Sequence, residues 1–392
     1  MPNYTYLIIG GGMTADAAVS GVRDLDTAGS IGIISNEKNT PYNRPPLSKG
    51  LWKGKPLEKI FRQDAKENAE IHLDRSAESI DSRKKVVIDN KGDKYSYDKL
   101  LLATGGSPRK LPNGDEEIIY FRTLDDFHNL QHLTRTKSRF AVVGGGFIGS
   151  ELAAVLSEQD QDVTIIFPED GIGSLLFPAD LANFINAYYR DKGVQVFAGE
   201  MVSSIEKEGS EFKIKSKSGL ELSADHVVAG IGIMPNTDLA NAAGVAVDNG
   251  ILVDEYLQTN QEDIYAAGDV ASIYNPMLDT RMRVEHEDNA LSSGRAAGLN
   301  MAGKGAPYNH ISTFYSDMFE LGYEAVGELN PNLDTFADWS DPYHKGIVYY
   351  LDQGRVRGIL LWNVWDQVDA AKQIIMRSGP ISTEELTGQI PG

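Results

Sequence analysis

The chain has no cysteine among its 392 residues. This absence excludes a disulfide framework, a CxxC redox pair, cysteine sulfenic acid chemistry and a thiolate metal site. The seven histidines show no zinc-type spacing, because His128 and His132 stand four apart without the glutamate of an HExxH motif. We therefore expect no resident metal, and electron transfer through this protein would need a bound cofactor rather than protein sulfur.

The sequence also has no apolar run long enough to span a bilayer, and no signal-peptide or Arg-rich transit pattern precedes its first apolar segment. We therefore expect a cytoplasmic protein, or a mature form that has been trimmed. Positive charge is scarce, since 37 Lys and Arg stand against 56 Asp and Glu for a formal net charge of −19. A field of this sign repels polyanions and argues against nucleic acid as the main partner.

Two glycine-rich segments follow apolar runs typical of buried strands. Gly10–Ala15 (GGGMTA) comes directly after Tyr6–Ile9, and Gly144–Gly149 (GGGFIG) comes directly after Phe140–Val143. Glycines between a strand and a helix bring backbone N–H groups and a helix N-terminus against a pyrophosphate. The two segments therefore predict two bound dinucleotides, between which hydride and electron transfer is the natural chemistry. The candidate binding residues are Gly10, Gly12 and Ala15 in the first segment and Gly144, Gly146, Ile148 and Gly149 in the second.

The residues that end the predicted strands are candidates for holding the rest of each dinucleotide. An acidic residue after the second strand binds ribose hydroxyls; in the first unit either Asn36 or Glu37 can take this role, with Glu37 slightly favoured. In the second unit Glu169 stands there, and a carboxylate repels a 2′-phosphate, which favours NADH over NADPH. Thr104-Gly105 and Asp269 end two further strands. Asp269 can bind a ribityl hydroxyl, cap the next helix, or do both.

The order of these segments predicts the domain organisation. The second glycine motif opens a separate unit at 123–236, and the strand before Asp269 returns to the first unit. We therefore expect an α/β fold of two Rossmann-like dinucleotide-binding domains, with the second inserted in the first. The first spans 1–122 and 237–306. Short alternating strands and an amphipathic helix predict a small α+β C-terminal domain at 307–392.

The sequence resembles a known protein family. Pro41–Lys49 (PYNRPPLSK) and Gly144–Leu152 (GGGFIGSEL) are similar to FAD-dependent reductases that feed rubredoxin and ferredoxin-type partners, a group with the glutathione-reductase-like fold. The apoptosis-inducing factor family is closer still. Four segments resemble it specifically: Gly144–Leu152, Phe167–Glu169, Arg283–His286 and Gly322–Gly327. The likeness covers essentially the whole chain.

The resemblance implies roles for particular residues. Without the resemblance, Lys49 would be interpreted as a loop lysine and Glu151 as an acid that complements the helix dipole. The resemblance implies that the two pair beside the flavin as the catalytic residues. Phe147 would lie where the nicotinamide must stack, and Tyr315 stands where the family often has Trp. The residues implied to contact FAD are Arg44, Lys49, Ala77, Arg122, Asp269 and His286. Those implied to line the NAD(H) path are Glu169, Gly232, Glu285, Glu324 and Asn363.

Several departures from the family pattern limit what the resemblance implies. Asn36 stands where an acid is expected, and a Lys expected shortly after Glu169 is absent, with Ser174 near that place. The long insertion of the mammalian proteins is missing between about 339 and 345, and so is a mitochondrial presequence. A role in cell death is therefore not implied, and we expect a microbial relative.

These observations together predict an FAD-dependent NADH oxidoreductase. NADH would pass hydride to the flavin, and electrons would then leave without a cysteine relay to an unidentified acceptor: a small quinone, oxygen or a redox carrier protein. A second hypothesis is a redox-sensing interaction protein with a long-lived reduced flavin–NAD complex and NADH-linked homodimerisation. A third is a ferredoxin or rubredoxin reductase, although the negative net charge is awkward for an acidic carrier.

Overall fold

A computed structural model of the chain describes residues 1–113, 116–377 and 379–391. The chain divides into two compact units. The first comprises Met1–Arg44, Pro56–Ser107 and Met234–Ser312, and the second comprises Pro45–Lys55, Pro108–Ile233 and Thr313–Gly392. This division places the end of the proline loop and the C-terminal segment with the second glycine motif. The predicted division into three domains, with its boundaries, stays a prediction.

The helices and strands of the described residues are as follows. The helices are α1 Met13–Arg23, α2 Asp64–Asn68, α3 Leu124–Leu133, α4 Phe147–Glu158, α5 Ala179–Asp191, α6 Asp238–Ala242, α7 Glu287–Met301, α8 Val368–Ile375 and α9 Thr383–Leu386. The strands up to the second glycine motif are β1 Asn3–Ile9, β2 Ile31–Ile34, β3 Glu70–His72, β4 Ala77–Asp81, β5 Val86–Asp89, β6 Lys94–Leu102, β7 Gly106–Pro108, β8 Ile119–Tyr120 and β9 Arg139–Val143. The next are β10 Asp162–Ile166, β11 Gln195–Phe197, β12 Val202–Glu208, β13 Glu211–Ser216, β14 Glu221–Ala224, β15 His226–Ala229, β16 Ile233–Pro235, β17 Val247–Asp248 and β18 Gly250–Leu252. The last are β19 Ile264–Ala266, β20 Ala271–Asn275, β21 Thr280–Met282, β22 Thr313–Met318, β23 Leu321–Gly327, β24 Asp334–Asp341, β25 Lys345–Asp352 and β26 Arg355–Trp362.

The first unit is built on a sheet whose central strands are parallel. Its strand order is β3-β2-β1-β6-β5-β4, and β19 also pairs with β6 in parallel. The central strands read as continuous apolar runs because both faces of such a sheet are buried; Leu7 and Ile8 of β1 have no exposed surface. Parallel pairing brings the carboxyl ends of β1, β2 and β19 to one edge, where the first glycine loop, Glu37 and Asp269 follow.

Helices α1 and α7 of the first unit pack closely through glycines. A Cβ on Gly294 would lie 2.5 Å from the Thr14 carbonyl oxygen, and a Cβ on Gly298 would lie 2.1 Å from that of Ala18. The two glycines are one helical turn apart on the same face of α7. Their missing side chains let the two backbones approach, which fixes α1, the helix that follows the first glycine loop.

The second unit contains a parallel sheet of order β11-β10-β9-β15-β8 and an antiparallel sheet of order β22-β23-β26-β25-β24. An antiparallel sheet of β12, β13 and β14 accompanies the parallel one. Helix α4 follows β9 directly through the second glycine loop. The predicted α/β class, with two strand–glycine–helix units and a C-terminal α+β portion, is confirmed.

The sequence predicts C-terminal strands at Ala325–Leu329, Gly346–Leu351 and Val356–Trp362, and it therefore misses β22 and β24. Strand β24 is exposed along most of its length, so it carries no apolar alternation that would reveal it. None of the helices in the described ranges combines the length and the apolar character needed to cross a membrane.

Candidate functional site

The first glycine loop has the geometry of a dinucleotide cradle. Gly10 has φ +114°, and a Cβ there would lie 2.1 Å from the Ala103 carbonyl oxygen, so only glycine fits. Gly12 precedes α1, and a Cβ on it would meet nothing within 4 Å. Ala15 is fully buried in the first turn of α1, where its methyl group still permits close packing. The open space at Gly12, against a helix N-terminus, fits a pyrophosphate.

The two residues proposed to bind a ribose after β2, Asn36 and Glu37, differ in burial and in hydrogen bonding. Asn36 is exposed and makes no side-chain hydrogen bond within the described residues. Glu37 is partly buried; its Oε2 accepts a 2.5 Å hydrogen bond from the Tyr42 hydroxyl, and its Oε1 pairs with Arg44. A carboxylate has about four acceptor positions, so Glu37 can still accept from a ribose. Ala77, implied to lie by the adenine, is the partly buried first residue of β4.

Asp269 lies in a charged group at the same edge of the first unit. Burial lowers the pKa of Arg44, but Tyr42, Glu37 and Asp269 outweigh this effect and raise that pKa above its ordinary value. Burial lowers the pKa of His286 to about 4, against the opposing charges of Asp269 and Asp288. His286 is therefore a neutral imidazole at pH 7, able to both donate and accept a hydrogen bond.

The alternative role of Asp269 as a helix cap is wrong. Asp269 lies inside the short 3-10 turn Gly268–Val270, whose N-cap is Ala267, and α7 is preceded by His286. Gly268 has φ +74°, and a Cβ there would lie 2.3 Å from Thr14 Oγ1. The turn therefore packs against the first residues of α1, and the role of Asp269 toward FAD stays a prediction.

The strand end at Thr104-Gly105 is held by a residue that sequence reasoning missed. Asn236 Nδ2 donates to the Thr104 carbonyl at 2.8 Å, and the Thr104 hydroxyl donates to the Asn236 carbonyl at 2.8 Å. The Asn236 N–H also donates to the Gly105 carbonyl, and Gly105 has φ +62°. Asn236 comes at the end of the predicted inserted unit, and this position was its only sequence signal.

The second glycine loop repeats the first cradle with a stricter requirement. Gly144 has φ +112°, and its Cβ would lie 2.4 Å from the Gly230 carbonyl oxygen. Gly146 precedes α4, and a Cβ there would meet nothing within 4 Å. A Cβ on Gly149 would lie 1.9 Å from the Gly144 carbonyl oxygen, so this third position cannot be alanine. Ile148 is partly buried in the first turn of α4. Open space beside Gly146 fits a second dinucleotide.

Glu169 follows β10 beside this loop. Its side chain is partly buried and has no hydrogen-bond partner among the described residues, so the whole carboxylate is available to a ribose diol. Phe167, two residues earlier, is fully buried, and its ring fills the place where Gly145 would carry a Cβ. Asn186 of α5 holds the following turn through the Ile172 N–H and the Asp170 carbonyl.

Glu151 of the second unit is a buried carboxylate that pairs with a lysine. It lies on α4 with 3% exposure, and Lys49 Nζ lies 2.5 Å from its Oε1. Lys49 also lies 5.2 Å from the centre of the Tyr315 ring, a cation–π distance. The structure thus brings together three residues that the sequence places far apart, and it confirms that Lys49 and Glu151 pair. Their catalytic role stays a prediction.

Two serines donate hydrogen bonds to Glu151, and the sequence analysis did not predict either of them. Ser48 Oγ donates to Glu151 Oε2 at 2.5 Å, and Ser316 Oγ donates to Oε1 at 2.5 Å. Ser48 ends a 3-10 turn just before Lys49, and Ser316 lies on the buried face of β22. A serine at a buried position of an alternating strand was the only available signal for Ser316.

The remaining NAD(H)-path candidates of the second unit lie on or beside its antiparallel sheet. Glu324 of β23 is the cross-strand neighbour of Tyr315, so both lie on one face. Burial raises the pKa of Glu324, whose Oε2 accepts from the Asp366 N–H at 3.0 Å. Asn363 has φ +50°, and its amide binds the Gly322 N–H and the His344 carbonyl. Phe147 makes an edge contact with the Phe314 ring at 5.5 Å.

Three other candidates have local backbone or ion-pair contacts. Arg122 directly precedes the capping box of α3, and its N–H donates to Asp126 at 3.0 Å. Gly232 has φ +87°, and its carbonyl accepts from the Arg109 N–H. Glu285 lies in the first unit and pairs with Arg283 at 2.6 Å. Their roles toward FAD or NAD(H) stay predictions.

Comparison with known proteins agrees with this arrangement. Residues 4–294 match the pyridine nucleotide-disulphide oxidoreductase family. Residues 297–342 and 337–377 match the domain described as apoptosis-inducing factor, mitochondrion-associated, C-term. Because the chain has no cysteine, the disulphide in the first family's name has no counterpart here.

Individual relatives cover nearly the whole chain. Apoptosis-inducing factor 1, mitochondrial, of Dictyostelium discoideum is 35% identical over 418 residues, covering 95% of this chain and 78% of that protein. Putidaredoxin reductase of Pseudomonas putida is 30% identical over 401 residues, covering 98% and 94%. Among solved structures, the covalent putidaredoxin reductase–putidaredoxin complex matches with a TM-score of 0.91 at 29% identity, covering 98% of this chain and 95% of that chain.

The predicted resemblance, enzyme class and cofactors are confirmed by these matches. With its two glycine cradles and its C-terminal domain, the chain belongs to the pyridine nucleotide-disulphide oxidoreductase family, as an apoptosis-inducing factor-like, FAD-dependent NAD(P)H oxidoreductase that binds FAD and NAD(H).

Proposed function

We propose that this protein is an FAD-dependent NADH oxidoreductase whose electrons leave the cofactor without a cysteine relay. The observation that carries the proposal is the pair of cradles at Gly12 and Gly146, each open at a helix N-terminus and each following a parallel strand. We assign FAD to the first cradle, because Glu37, Arg44, Asp269 and His286 lie in the same unit. We assign NADH to the second, beside Glu169.

NADH rather than NADPH fits the second cradle because of Glu169. Its carboxylate, which has no hydrogen-bond partner in the part of the chain that the structure describes, offers acceptors for both hydroxyls of an adenosine ribose. It would repel a 2′-phosphate, and Ser174 stands near the place where the family often carries a lysine. In NADPH a phosphate replaces the 2′-hydroxyl of the adenosine ribose. This replacement would therefore remove a hydrogen bond to Glu169 and bring two negative charges together.

The Lys49–Glu151 pair supplies the local charge for the reaction. Bound FAD supplies the centre that accepts a hydride and passes electrons on. The chain positions the reactants and fixes the field around them. Glu151 holds the Lys49 ammonium at one place, and the Tyr315 face limits where it can move. Phe147, at the first position of α4, would lie where the nicotinamide must stack, so its ring would have to move when NADH binds.

A redox carrier protein is the acceptor class we favour. Putidaredoxin reductase, a whole-length relative, forms a complex with putidaredoxin, and this supports a small protein carrier over a quinone or oxygen. The alternative of a redox sensor needs a reduced complex that persists in air and homodimerises with NADH. A cytoplasmic location also stays a prediction, which cell fractionation tests.

Anaerobic titration of the FAD-loaded protein with NADH tests the proposal. We expect the flavin absorbance near 450 nm to bleach at about one equivalent of NADH, because one hydride reduces one flavin. The reduced protein is then mixed with air, a soluble quinone or an iron–sulfur carrier. Fast reoxidation by the carrier supports a reductase, whereas a reduced state that outlasts all three, with a larger size-exclusion mass, supports the sensor. No bleaching by NADH would refute both.

A further inference from the structure

We propose that Ser316 and Ser48 are positioning residues that fix the Glu151 carboxylate and, through it, the Lys49 ammonium. This inference rests on the proposed function, in which the Lys49–Glu151 pair sets the charge beside the reaction. The family resemblance implies the pair alone, and the two serines enter only from the contacts in the second unit.

The hydrogen bonds divide between the two carboxylate oxygens. Oε1 receives Lys49 Nζ and Ser316 Oγ, each at 2.5 Å, and Oε2 receives Ser48 Oγ at 2.5 Å. The donors come from two segments of the chain: the consecutive residues Ser48 and Lys49 at the end of a 3-10 turn, and strand β22. Donors on both oxygens prevent the carboxylate plane from rotating, so one defined oxygen faces Lys49.

Burial excludes a direct role for either serine. Ser316 is 1% exposed and Ser48 is 3% exposed, so neither can contact a nucleotide that arrives from solvent. A buried carboxylate needs compensation for lost hydration, and a second cation would give the neutral pair a net positive charge. Neutral hydroxyl donors stabilise the ionised carboxylate and leave the pair uncharged overall. Two serines are thus suited to hold Glu151 without altering the field that the pair sets.

Strand β22 contacts the pair from both of its faces. Ser316 on the buried face binds Glu151, and Tyr315 on the opposite face carries its ring 5.2 Å from Lys49 Nζ. Adjacent residues of a strand point to opposite sides, so this strand contacts Glu151 through one face and Lys49 through the other. The position of β22 therefore determines where the ammonium sits.

Removal of one hydroxyl tests the proposal. In S316A we expect the rate constant for flavin reduction by saturating NADH to fall at least about fivefold, because a hydrogen bond to a charged group is lost. The dissociation constant for NADH should stay within about twofold, since the serine does not touch the nucleotide. The flavin midpoint potential should shift in the same direction as in E151A. S316T, which keeps a hydroxyl, should recover part of the rate.

A double-mutant cycle separates positioning from general packing. Once Glu151 is alanine, the serine has no carboxylate to orient, so S316A in the E151A background should leave the reduction rate and the potential unchanged. S216A is the matched control, because Ser216 is also buried in the second unit and bonds Ser218 Oγ at 2.8 Å, away from Glu151. We expect S216A to reduce at the wild-type rate.

The outcomes distinguish this inference from the proposed function. If NADH does not reduce the wild-type flavin, the proposed function fails. If the wild type is reduced and S316A matches S216A in rate and potential, the inference is overturned. If S316A lowered the flavin reduction rate equally in the wild-type and E151A backgrounds, the inference would also be overturned. If S316A loses FAD or unfolds, S48A and S316T carry the same comparison, and a wild-type rate and potential in S48A would refute the proposal.

Discussion

At the scale of the residue, one added methyl group tests the assignment of the two glycine loops. In G12A the new Cβ meets no atom of the described residues within 4 Å, so the protein should fold normally but bind FAD at least about tenfold more weakly, equivalent to about 1.4 kcal/mol. In G146A the same reasoning predicts retained FAD and weakened NADH binding. Flavin content after dialysis and NADH titration measure the two effects.

G10A is the contrasting variant. Its Cβ would lie 2.1 Å from a backbone oxygen at φ +114°, so we expect a loss of folding stability with or without FAD. Thermal unfolding of the three variants measures this difference. An equal loss of stability in G12A and G10A would refute the open cradle, and FAD loss in G146A would refute the assignment of the two loops.

His286 predicts a pH dependence of folding stability. The pKa is lowered to about 4 in the folded state, from about 6.5 when unfolded. The unfolded state therefore binds the proton first, and stability falls as pH decreases from about 6.5 toward 4. Between pH 7 and 5 this one group should account for about 1–2 kcal/mol of lost stability. Urea unfolding of wild type and H286Q measures it.

The expected result is a smaller loss between pH 7 and 5 in H286Q than in wild type. Parallel pH curves for the two proteins would contradict the buried neutral histidine. H128Q is the control, since His128 is exposed on α3 and is not among the cofactor candidates.

Residue-level prediction from sequence succeeded where a local pattern or a family motif carried the information. The glycine loops combine strand, glycine and helix signals within about ten residues, and they lie where expected. Ser316 lies 165 positions from Glu151 and Ser48 lies 103 positions away. No local pattern links such distant residues, and a buried serine is chemically unremarkable until its partner is known. The pairing of Lys49 with Glu151 was itself available only through the resemblance.

At the scale of the element, the close contact of α1 with α7 predicts that Gly→Ala substitutions change folding stability in the direction opposite to helix propensity. In an open helix, Gly→Ala stabilises by about 1 kcal/mol. In G298A the new Cβ would lie 2.1 Å from the Ala18 carbonyl oxygen. We therefore expect G298A to destabilise the protein by about 1–3 kcal/mol, as overpacking does. Chemical denaturation measures the sign.

G21A on the facing helix should behave alike, because its Cβ would lie 2.2 Å from the Arg295 carbonyl oxygen. Stabilisation in both variants would show that the helices are not in close contact. Destabilisation in both, with FAD affinity reduced in proportion, would agree with a role of this packing in fixing the first cradle.

Elements were predictable in proportion to their burial. The apolar pattern predicts strands at Val86–Asp89, Gly346–Leu351 and Val356–Trp362. Strand β5 has the predicted bounds, β25 is one residue longer at each end, and β26 begins one residue earlier. Strand β24 was missed because half-exposed edge strands carry polar residues on both faces. The prediction that Asp269 caps a helix was wrong for another reason. The sequence does not reveal that a 3-10 turn, rather than a helix, follows β19.

At the scale of the whole molecule, the net charge of −19 predicts how salt acts on electron delivery. An acidic carrier would be repelled at long range, and raising the ionic strength from about 0.01 to about 0.15 M shortens the Debye length from about 30 to about 8 Å. We expect the second-order rate with an acidic iron–sulfur carrier to rise with salt, and that with a basic cytochrome to fall.

Stopped-flow mixing of the NADH-reduced protein with each carrier measures these slopes. A rate with the acidic carrier that falls with salt would contradict the prediction, and would mean that a local positive surface governs docking. Family membership could be predicted from sequence because motifs persist, whereas the carrier could not. Docking depends on surface charges contributed by residues scattered along the chain.

Stopped-flow reduction of the FAD-loaded wild type by NADH and by NADPH tests the central claim most directly. The account predicts rapid flavin bleaching with NADH, a rate at least about tenfold lower with NADPH because of Glu169, and a comparable loss with NADH in E151A. Equal rates with the two nucleotides would contradict the assignment of Glu169. A wild-type rate in E151A would remove the role of the Lys49–Glu151 pair, and the absence of flavin reduction by either nucleotide would contradict the account as a whole.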